Sequence, residues 1–532
     1  MWMKRLIGGL LAALWCATSV GVTGDAPQIV DAVKANRRDT VRTLLAAHAD
    51  VNAPEADGTT ALHWAVRADD LNTVTLLIRA GARVTAANRY GITPLALAAV
   101  NGNAAVIEAL LKAGADANTT LREGETVLMR AARTGKADAL QVLLSHGADV
   151  NAKESWQGQT ALMWAAAANH PDAVQTLIEW GADLGARANL LEDKPKADQL
   201  DARTLKDGVA VDGLSFLFSR GGFTPLLFAA REGALEAARV LITAGADADR
   251  PDPDGITPLV MAIINGHYDT AALLAEQGAN VNAVDPGGRT ALYAAVDMHT
   301  LGFTLNRPAP PPTDAHYDSL GIVRLLLDRG ANPNIALTRA VKPRKLLIFG
   351  IEILTAGTTP LLRAAAQVDL PVLRLLLAHG ADPNLTTDEH TTALMLASGL
   401  GWKDVYSQGS EADAIVFMTV MLERGADVNH ANDRGNTALH GAAQRGSDAL
   451  VQFLAERGAR LDAKNDQGRT PLDEALTFRR PRERTVALLR ELMVKNGIRI
   501  DLAKRVIECC AGCDCRDESK RPEQRKEEGP RR

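Results

Sequence analysis

The chain is 532 residues long, which is too much for one hydrophobic core, so it must contain several domains or a repeated unit. With 46% hydrophobic and 23% charged residues, its composition is that of an ordinary globular protein. The formal net charge of -5 is small, which argues against a nucleic-acid partner, because such a protein needs a clustered basic surface.

The first residues, 1–24, have the layout of a secretory signal peptide. Lys4 and Arg5 form a basic start, an apolar run covers residues 7–15, and mostly small residues follow as far as Gly24. The apolar run is too short for a spanning helix, so we expect cleavage after Gly24 and no stable membrane insertion afterwards. An uncleaved membrane anchor is the alternative. The sequence therefore predicts an exported protein, either periplasmic or secreted.

A glycine motif then repeats along the chain. Gly-x-Thr recurs every 33 or 34 residues in the first copies, at Gly58, Gly91, Gly124 and Gly158. A second glycine lies 23 residues after the first in almost every copy, as at Gly81, and in most copies it opens Gly-Ala-Asp/Asn-x-Asn. A fixed period of this length indicates a repeat protein.

Each repeat is predicted to contain two short helices. Thr93, which precedes a proline, is typical of a helix N-cap, and Val74, Leu77 and Ile78 have the apolar spacing of a second helix. The second glycine then ends that helix in the left-handed conformation. His48 replaces this glycine in an early repeat, at a cost on the order of 1 kcal/mol. One helix pair cannot bury its own apolar face, so the repeats must stack on one another.

This pattern resembles the ankyrin-repeat family, whose repeat reads Gly-x-Thr-Pro-Leu-His-x-Ala-Ala, then Leu-Leu-Leu, then Gly-Ala-Asp-Val-Asn. The resemblance covers about residues 25–497 and implies an all-α ankyrin-repeat solenoid of roughly twelve helix-turn-helix units, joined by β-hairpin fingers. It further implies an elongated, curved array that binds a protein partner through finger tips and first helices on its concave side. In this family the histidine of the Thr-Ala-Leu-His motif, here His63 and His440, bonds neighbouring turns.

Four insertions interrupt the period, as in exported bacterial-type ankyrin-repeat proteins, which this chain resembles. Two insertions enlarge fingers, at about 187–221 and 335–356, and two separate the helices of one repeat, at about 298–318 and 400–413. The enlarged fingers either fold back on their own apolar residues or form a partner-binding surface. Their aromatic candidates for partner contact are Phe216, Phe218 and Phe349.

The early fingers carry the main candidates for partner binding. Tyr90 and Trp156 lie at predicted finger tips, where no core needs an aromatic ring, and aromatic anchors often dominate the energy of an interface. Further candidates are the neighbouring cations Arg89 and Lys153 and the first-helix residues Trp64 and Trp164. The alternative is that the tip aromatics are incidental and that the helix tryptophans are packing residues.

Catalytic chemistry has no visible motif in the sequence. No zinc-peptidase helix, phosphate-cradling glycine loop, dinucleotide fingerprint or nucleophile elbow is present, which predicts a non-catalytic protein without a cofactor. We therefore expect a protein-binding scaffold that acts outside the cytoplasm. An enzyme of an unrecognised type is a more distant alternative.

The charged tail, residues 498–532, is predicted to be partly disordered and contains a cysteine cluster. The cluster consists of Cys509, Cys510, Cys513 and Cys515. Such close spacing is poor for a tetrahedral metal site, so disulfides or free thiols are favoured over metal binding. A thiol- or metal-dependent protein that uses this cluster is the rival to the scaffold interpretation.

Overall fold

The computed structural model describes residues 28–191, 220–300, 316–339, 355–401, 409–477 and 482–499. The chain divides into two compact bodies, an N-terminal body (Met1–Asp183) and a C-terminal body (Leu184–Arg532). The described residues form twenty-four α-helices that pack as twelve sequential pairs. In each pair we call the helix that comes earlier the first helix and the other the second helix.

The N-terminal body contains five pairs: α1 (Gln28–Lys34) with α2 (Arg38–Ala46), α3 (Ala61–Arg67) with α4 (Leu71–Arg79), α5 (Pro94–Asn101) with α6 (Ala104–Lys112), α7 (Val127–Thr134) with α8 (Ala137–Ser145), and α9 (Ala161–Ala167) with α10 (Pro171–Glu179). The C-terminal body contains seven pairs: α11 (Pro225–Glu232) with α12 (Leu235–Thr243), α13 (Pro258–Ile264) with α14 (Tyr268–Glu276), α15 (Ala291–Thr300) with α16 (Ser319–Asp328), α17 (Pro360–Ala365) with α18 (Leu370–Ala378), α19 (Ala393–Ser398) with α20 (Glu411–Glu423), α21 (Ala438–Arg445) with α22 (Asp448–Glu456), and α23 (Pro471–Thr477) with α24 (Glu483–Lys495).

The helix boundaries follow the predicted signals. Thr93 Oγ1 accepts from the backbone N–H of Ala96 at 3.2 Å, and Pro94 occupies the first helical position, as a capped helix start requires. The glycines that follow the second helices have positive φ, for example +87° at Gly81. His48 adopts the same left-handed conformation with φ +57°, which confirms that it replaces the closing glycine.

The core of each body runs through successive pairs. First helices pack on the first helices of neighbouring repeats, as α5 and α9 do on either side of α7, and second helices pack on second helices. Leu77, Leu110 and Leu143, from the second helices of three successive repeats, are fully buried. Each repeat therefore completes its core with its neighbours.

The fingers differ from the predicted β-hairpins. In the described residues they are turns, and the only strands are the two-residue β1 (Leu190–Leu191) and β2 (Arg220–Gly221), which pair antiparallel at the base of the first enlarged finger. In a typical finger, the Asn88 side chain accepts from the backbone N–H groups of Tyr90 and Ile92 at 3.0 Å. The turn thus uses the N–H groups that a longer strand ladder would need.

The four insertions, the signal peptide and the tail remain predictions, because most of their residues lie outside the described ranges.

An asparagine bridge joins successive repeats. The Nδ2 of Asn118 donates to the carbonyl of Gly147 at 2.9 Å, and its Oδ1 accepts from the backbone N–H of Asp149 at 2.8 Å. Both partners belong to the next repeat, so one side chain aligns the closing turns of two repeats. The same donation is made by Asn52 to Gly81, Asn151 to Gly181, Asn282 to Gly330, Asn334 to Gly380 and Asn429 to Gly458.

The Thr-Ala-Leu-His histidines are structural. His63 Nδ1 accepts from the backbone N–H of Thr60 at 3.2 Å, so its Nε2 carries the proton and donates to the carbonyl of Ile92 in the next finger at 3.0 Å. His440 bonds Thr437 and Arg469 in the same way. Burial lowers the pKa of His63 below its ordinary value of 6.5, against the opposing effects of the Ile92 carbonyl and Asp57.

We predict that Asn118→Ala lowers the free energy of unfolding by about 1 kcal/mol, because two hydrogen bonds between repeats are lost while water partly replaces them. Asn384 is the matched control, since it holds the equivalent place after Gly380 but its side chain bonds no other repeat among the described residues. Urea denaturation of both variants measures the difference, and equal effects would contradict the bridge.

We predict that protonation of His63 destabilises the fold at acid pH. Because its pKa is lower in the folded state than in the unfolded chain, its contribution is complete above about pH 6.5 and is lost as the pH falls through that value toward the folded pKa. His63→Gln keeps an acceptor for the Thr60 N–H, so the variant should lose less stability than the parent between pH 7.5 and 5.5. Urea denaturation at the two pH values measures both losses, and equal losses in the parent and the variant would contradict the prediction.

Candidate protein-binding surface

Two finger tips of the N-terminal body carry exposed aromatic side chains. Tyr90 is 49% exposed and Trp156 is 61% exposed. The Nη2 of Arg89 donates to the Tyr90 hydroxyl at 2.7 Å, and the guanidinium carbon lies 4.9 Å from the centre of the ring. The backbone N–H of Arg89 also donates to the carbonyl of Asp57 in the preceding finger at 2.8 Å. The tip is therefore held in place while the ring remains accessible.

The Trp156 finger is built around a buried carboxylate. Glu154 is only 6% exposed and accepts from the backbone N–H groups of Trp156 at 2.7 Å and of Gln157 and Gln159 at 2.8 Å. It performs the function of Asn88 in the shorter finger, and its longer side chain spans a loop with one extra residue. The carboxylate therefore holds the backbone beneath an exposed indole.

Trp64 lies half-buried on α3 and is held by charged neighbours. Its Nε1 donates to Glu55 Oε2 at 2.6 Å, while Lys34 Nζ and the Arg67 guanidinium carbon lie 4.5 and 5.1 Å from the ring centre. Lys34 also forms an ion pair with Glu55. Such cation–π contacts stabilise the ring by about 0.5–1 kcal/mol where they are exposed.

Trp164, on α9, has an unfilled hydrogen-bond donor. Its ring lies 5.3 Å from the Arg133 guanidinium carbon, and its buried Nε1 has no hydrogen-bond partner among the described residues. Arg130 on the neighbouring helix α7 pairs with Glu125 at 2.9 Å, yet its Nε is also buried without a partner in this part of the chain. Buried donors without acceptors are uncommon and costly.

Sequence reasoning missed that these side chains belong to one set. Trp64, Leu97, Arg130 and Trp164 each follow the threonine before their helix by four residues, and all four are half-buried. Because successive first helices pack against each other, the four lie along one helix face, which we call the first-helix row. Alignment of the repeats position by position, rather than a search for tryptophan, would have revealed the row.

The basic candidates are placed differently. Arg89 and Lys153 are both exposed on fingers, and Arg89 contacts the tip aromatic Tyr90. Arg67 and Arg133 stack on the row tryptophans and form no ion pair with a described residue. The tryptophans of the row therefore lie beside two guanidinium groups, those of Arg67 and Arg133, that pair with no carboxylate among the described residues.

Other candidates lie beyond what the structure describes. These are Phe216, Phe218, Phe349, Cys509, Cys510, Cys513 and Cys515. Among the described residues, no group of histidine, cysteine or acidic side chains is arranged to hold a metal ion. In the same part of the chain, no helix combines the length and the apolar character needed to cross a membrane.

Comparison with protein families gives repeated matches along both bodies. The family model described as ankyrin repeats (3 copies) matches residues 29–121, 110–188 and 226–304, ankyrin repeats (many copies) matches 421–475, and the single ankyrin repeat matches 287–336 and 356–388. Together these matches cover well over half of the 532 residues. Comparison with curated proteins gives no significant match.

Proposed function

Because this chain belongs to the ankyrin-repeat family, whose members are typically non-catalytic modules that bind proteins, we propose that it is a protein-binding scaffold. The partner binds the N-terminal body, on the surface formed by the finger tips Tyr90 and Trp156 and by the first-helix row. The exposure of Trp156 on a finger that is organised by the buried Glu154 carries this proposal. A large aromatic ring held in solvent on an ordered loop is suited to anchor a partner.

The chemistry of the row indicates the character of the partner. Arg67 and Arg133 beside the row offer exposed guanidinium donors. A partner segment that carries carboxylates beside apolar side chains would satisfy these donors and cover the rings. We therefore propose an acidic, partly apolar segment of a protein as the ligand of this surface.

We predict that the double variant Tyr90→Ala/Trp156→Ala weakens binding of the natural partner at least about thirtyfold, because loss of one hot-spot anchor costs about 2 kcal/mol or more. The partner is first captured from the native envelope or secreted fraction, and its affinity is then measured by calorimetry with the purified full chain.

Trp180→Ala provides the matched control for this experiment. Trp180 is 46% exposed, but it caps the second helix α10 and does not lie on a finger tip. The control should retain full affinity. If the double variant keeps its fold by circular dichroism and binds as tightly as the control, the early finger tips are not the site.

We further propose that the protein acts outside the cytoplasm, in the periplasm or after secretion. The basic start, short apolar run and small residues of positions 1–24 support this location. We predict that the protein isolated from its native host begins at Asp25, because the peptidase cleaves after Gly24. N-terminal sequencing measures the start, and recovery of a chain that retains residues 1–24 would contradict export with cleavage.

A further inference from the structure

A polar pocket of about 340 Å³ lies in the C-terminal body. It is formed where the end of α15, the turn between α17 and α18, and the start of α20 meet. Its polar side chains are those of His299, Thr300, Gln367, Asp369 and Asp413. Val368 and Pro371 belong to its apolar lining. The volume is at the lower end of the range of about 300–1,000 Å³ typical of small-molecule sites.

Gln367 supplies a buried acceptor that no described group uses. The residue lines the pocket and is only 6% exposed, and its Oε1 has no hydrogen-bond partner in the described part of the chain. A buried amide oxygen left unpaired costs about 1–3 kcal/mol, so a donor that enters the pocket would recover that energy.

Asp369 adds a carboxylate that is only partly satisfied. One oxygen caps α18 by accepting from the backbone N–H of Val372 at 3.1 Å. The other lies 3.6 Å from His299 Nε2, which is beyond hydrogen-bond distance. Since an ionised carboxylate has about four acceptor positions, most of its capacity is unused by the described residues. Burial raises the pKa of Asp369 despite opposing effects of the Val372 N–H, His299 and Arg363.

Three other polar groups at the pocket use part of their hydrogen-bonding capacity within the described chain. His299 Nδ1 lies 2.7 Å from the Ser319 hydroxyl, and one oxygen of Asp413 accepts from the Ser410 hydroxyl at 2.6 Å. Behind the pocket, Arg445 Nη2 donates to the carbonyl of Gly409 at 3.0 Å. Gln367 Oε1 and the oxygens of Asp369 thus remain the acceptors of the described lining that a ligand would use.

Helix dipoles and nearby ion pairs leave the local net charge small. The amino ends of α18 and α20 each contribute about half a positive charge, but Asp369 and Asp413 stand at those ends. Arg363 is paired with Asp297 at 2.7 Å. The unfilled hydrogen-bond acceptors of the pocket, and not a strong electrostatic field, therefore decide which ligand it binds.

The turn that presents these acceptors is held in a conformation unfavourable for its sequence. Val368 lies between Gln367 and Asp369 with φ +58°, which is a genuine outlier for a β-branched residue. Gly409 packs against it so closely that an added Cβ would lie 2.3 Å from the Val368 Cβ. Such strain is retained where surrounding structure imposes it, and it is frequent at binding sites.

We propose that this pocket binds a primary ammonium group on an aliphatic stem. An ammonium group has three N–H donors and no acceptor, which matches the unfilled oxygens of Gln367 and Asp369. Val368 and Pro371 provide apolar surface for the stem. The ammonium comes either from a small alkylamine or from a lysine side chain. This site is independent of the finger surface proposed above.

The experiment is a calorimetric titration of the purified full chain with butylammonium, with Nα-acetyl-lysine methylamide and with tetramethylammonium. We expect saturable binding of one equivalent of a primary ammonium, and none of tetramethylammonium, which has the charge without N–H donors. Binding of the lysine derivative at least as tight as that of butylammonium assigns the ligand to a protein side chain. Tighter binding of butylammonium assigns it to a small amine.

Two variants test the named acceptors. Asp369→Asn removes the charge but keeps a good helix cap, and Gln367→Met keeps the side-chain length without the acceptor. Each should weaken butylammonium binding at least about tenfold, the loss typical of a hydrogen bond to a charged group. Asp70→Asn makes the same change at the cap of α4 in the N-terminal body and should leave binding unchanged.

Three results would overturn the proposal. They are the absence of saturable binding, equal binding of tetramethylammonium, and unchanged affinity in both pocket variants when circular dichroism shows that they are folded. The first result leaves the pocket with water alone, and the other two show that the cation binds without the oxygens of Gln367 and Asp369. None of these results bears on the finger surface, because the Tyr90 and Trp156 variants test it separately.

Discussion

At six junctions of the described chain, an asparagine bridge sets the relative position of successive repeats. The amide of Asn118 satisfies one acceptor and one donor in the closing turn of the following repeat. These two bonds hold the closing turns of the two repeats in one relative position. The bridge does not depend on the length of chain between its partners. Asn52 reaches a glycine 29 residues later, and Asn282 makes the same bond to Gly330 across 48 residues. Insertions can therefore enter the array without changing the register in which adjacent repeats pack.

Because adjacent repeats pack in this register, residues at equivalent positions of different repeats lie at the same place on the face of the first helices. The fourth residue after the threonine that precedes the helix is Trp64 in one repeat, Arg130 in another and Arg363 in the C-terminal body. The first two are half-buried, whereas Arg363 is 1% exposed and pairs with Asp297. One scaffold position thus holds an aromatic ring in some repeats and an ion-paired arginine in others. Function is set by the side chain placed there, and the fold alone does not determine it.

The sequence predicted the parts of the fold that depend on local chemistry. The cap at Thr93 and the left-handed His48 follow from residues within one repeat, whereas the bridging role of His63 was implied by the resemblance to the ankyrin-repeat family. The prediction of β-hairpins was wrong for the typical fingers, which are turns. In one of them the Asn88 side chain, and not a facing strand, accepts from the backbone N–H groups of Tyr90 and Ile92. The exposed tip of Trp156 was predicted, but the supporting role of Glu154 was not, since that role depends on how an extra residue changes the loop.

The pocket was beyond sequence reasoning because its residues come from three repeats and have no common motif. In the turn between first and second helices, left-handed residues are commonly glycine, asparagine or aspartate, such as Gly102, Asn36 and Asp69, and these tolerate a positive φ at little cost. Val368 departs from this rule in the turn that also holds the unpaired oxygen of Gln367. The backbone strain at Val368 and the unpaired oxygen of Gln367 thus lower the stability independently at two adjacent residues. In a repeat that only stacked on its neighbours, an asparagine at position 368 and an apolar side chain at position 367 would remove both costs. Their coincidence therefore favours a binding site over a packing defect.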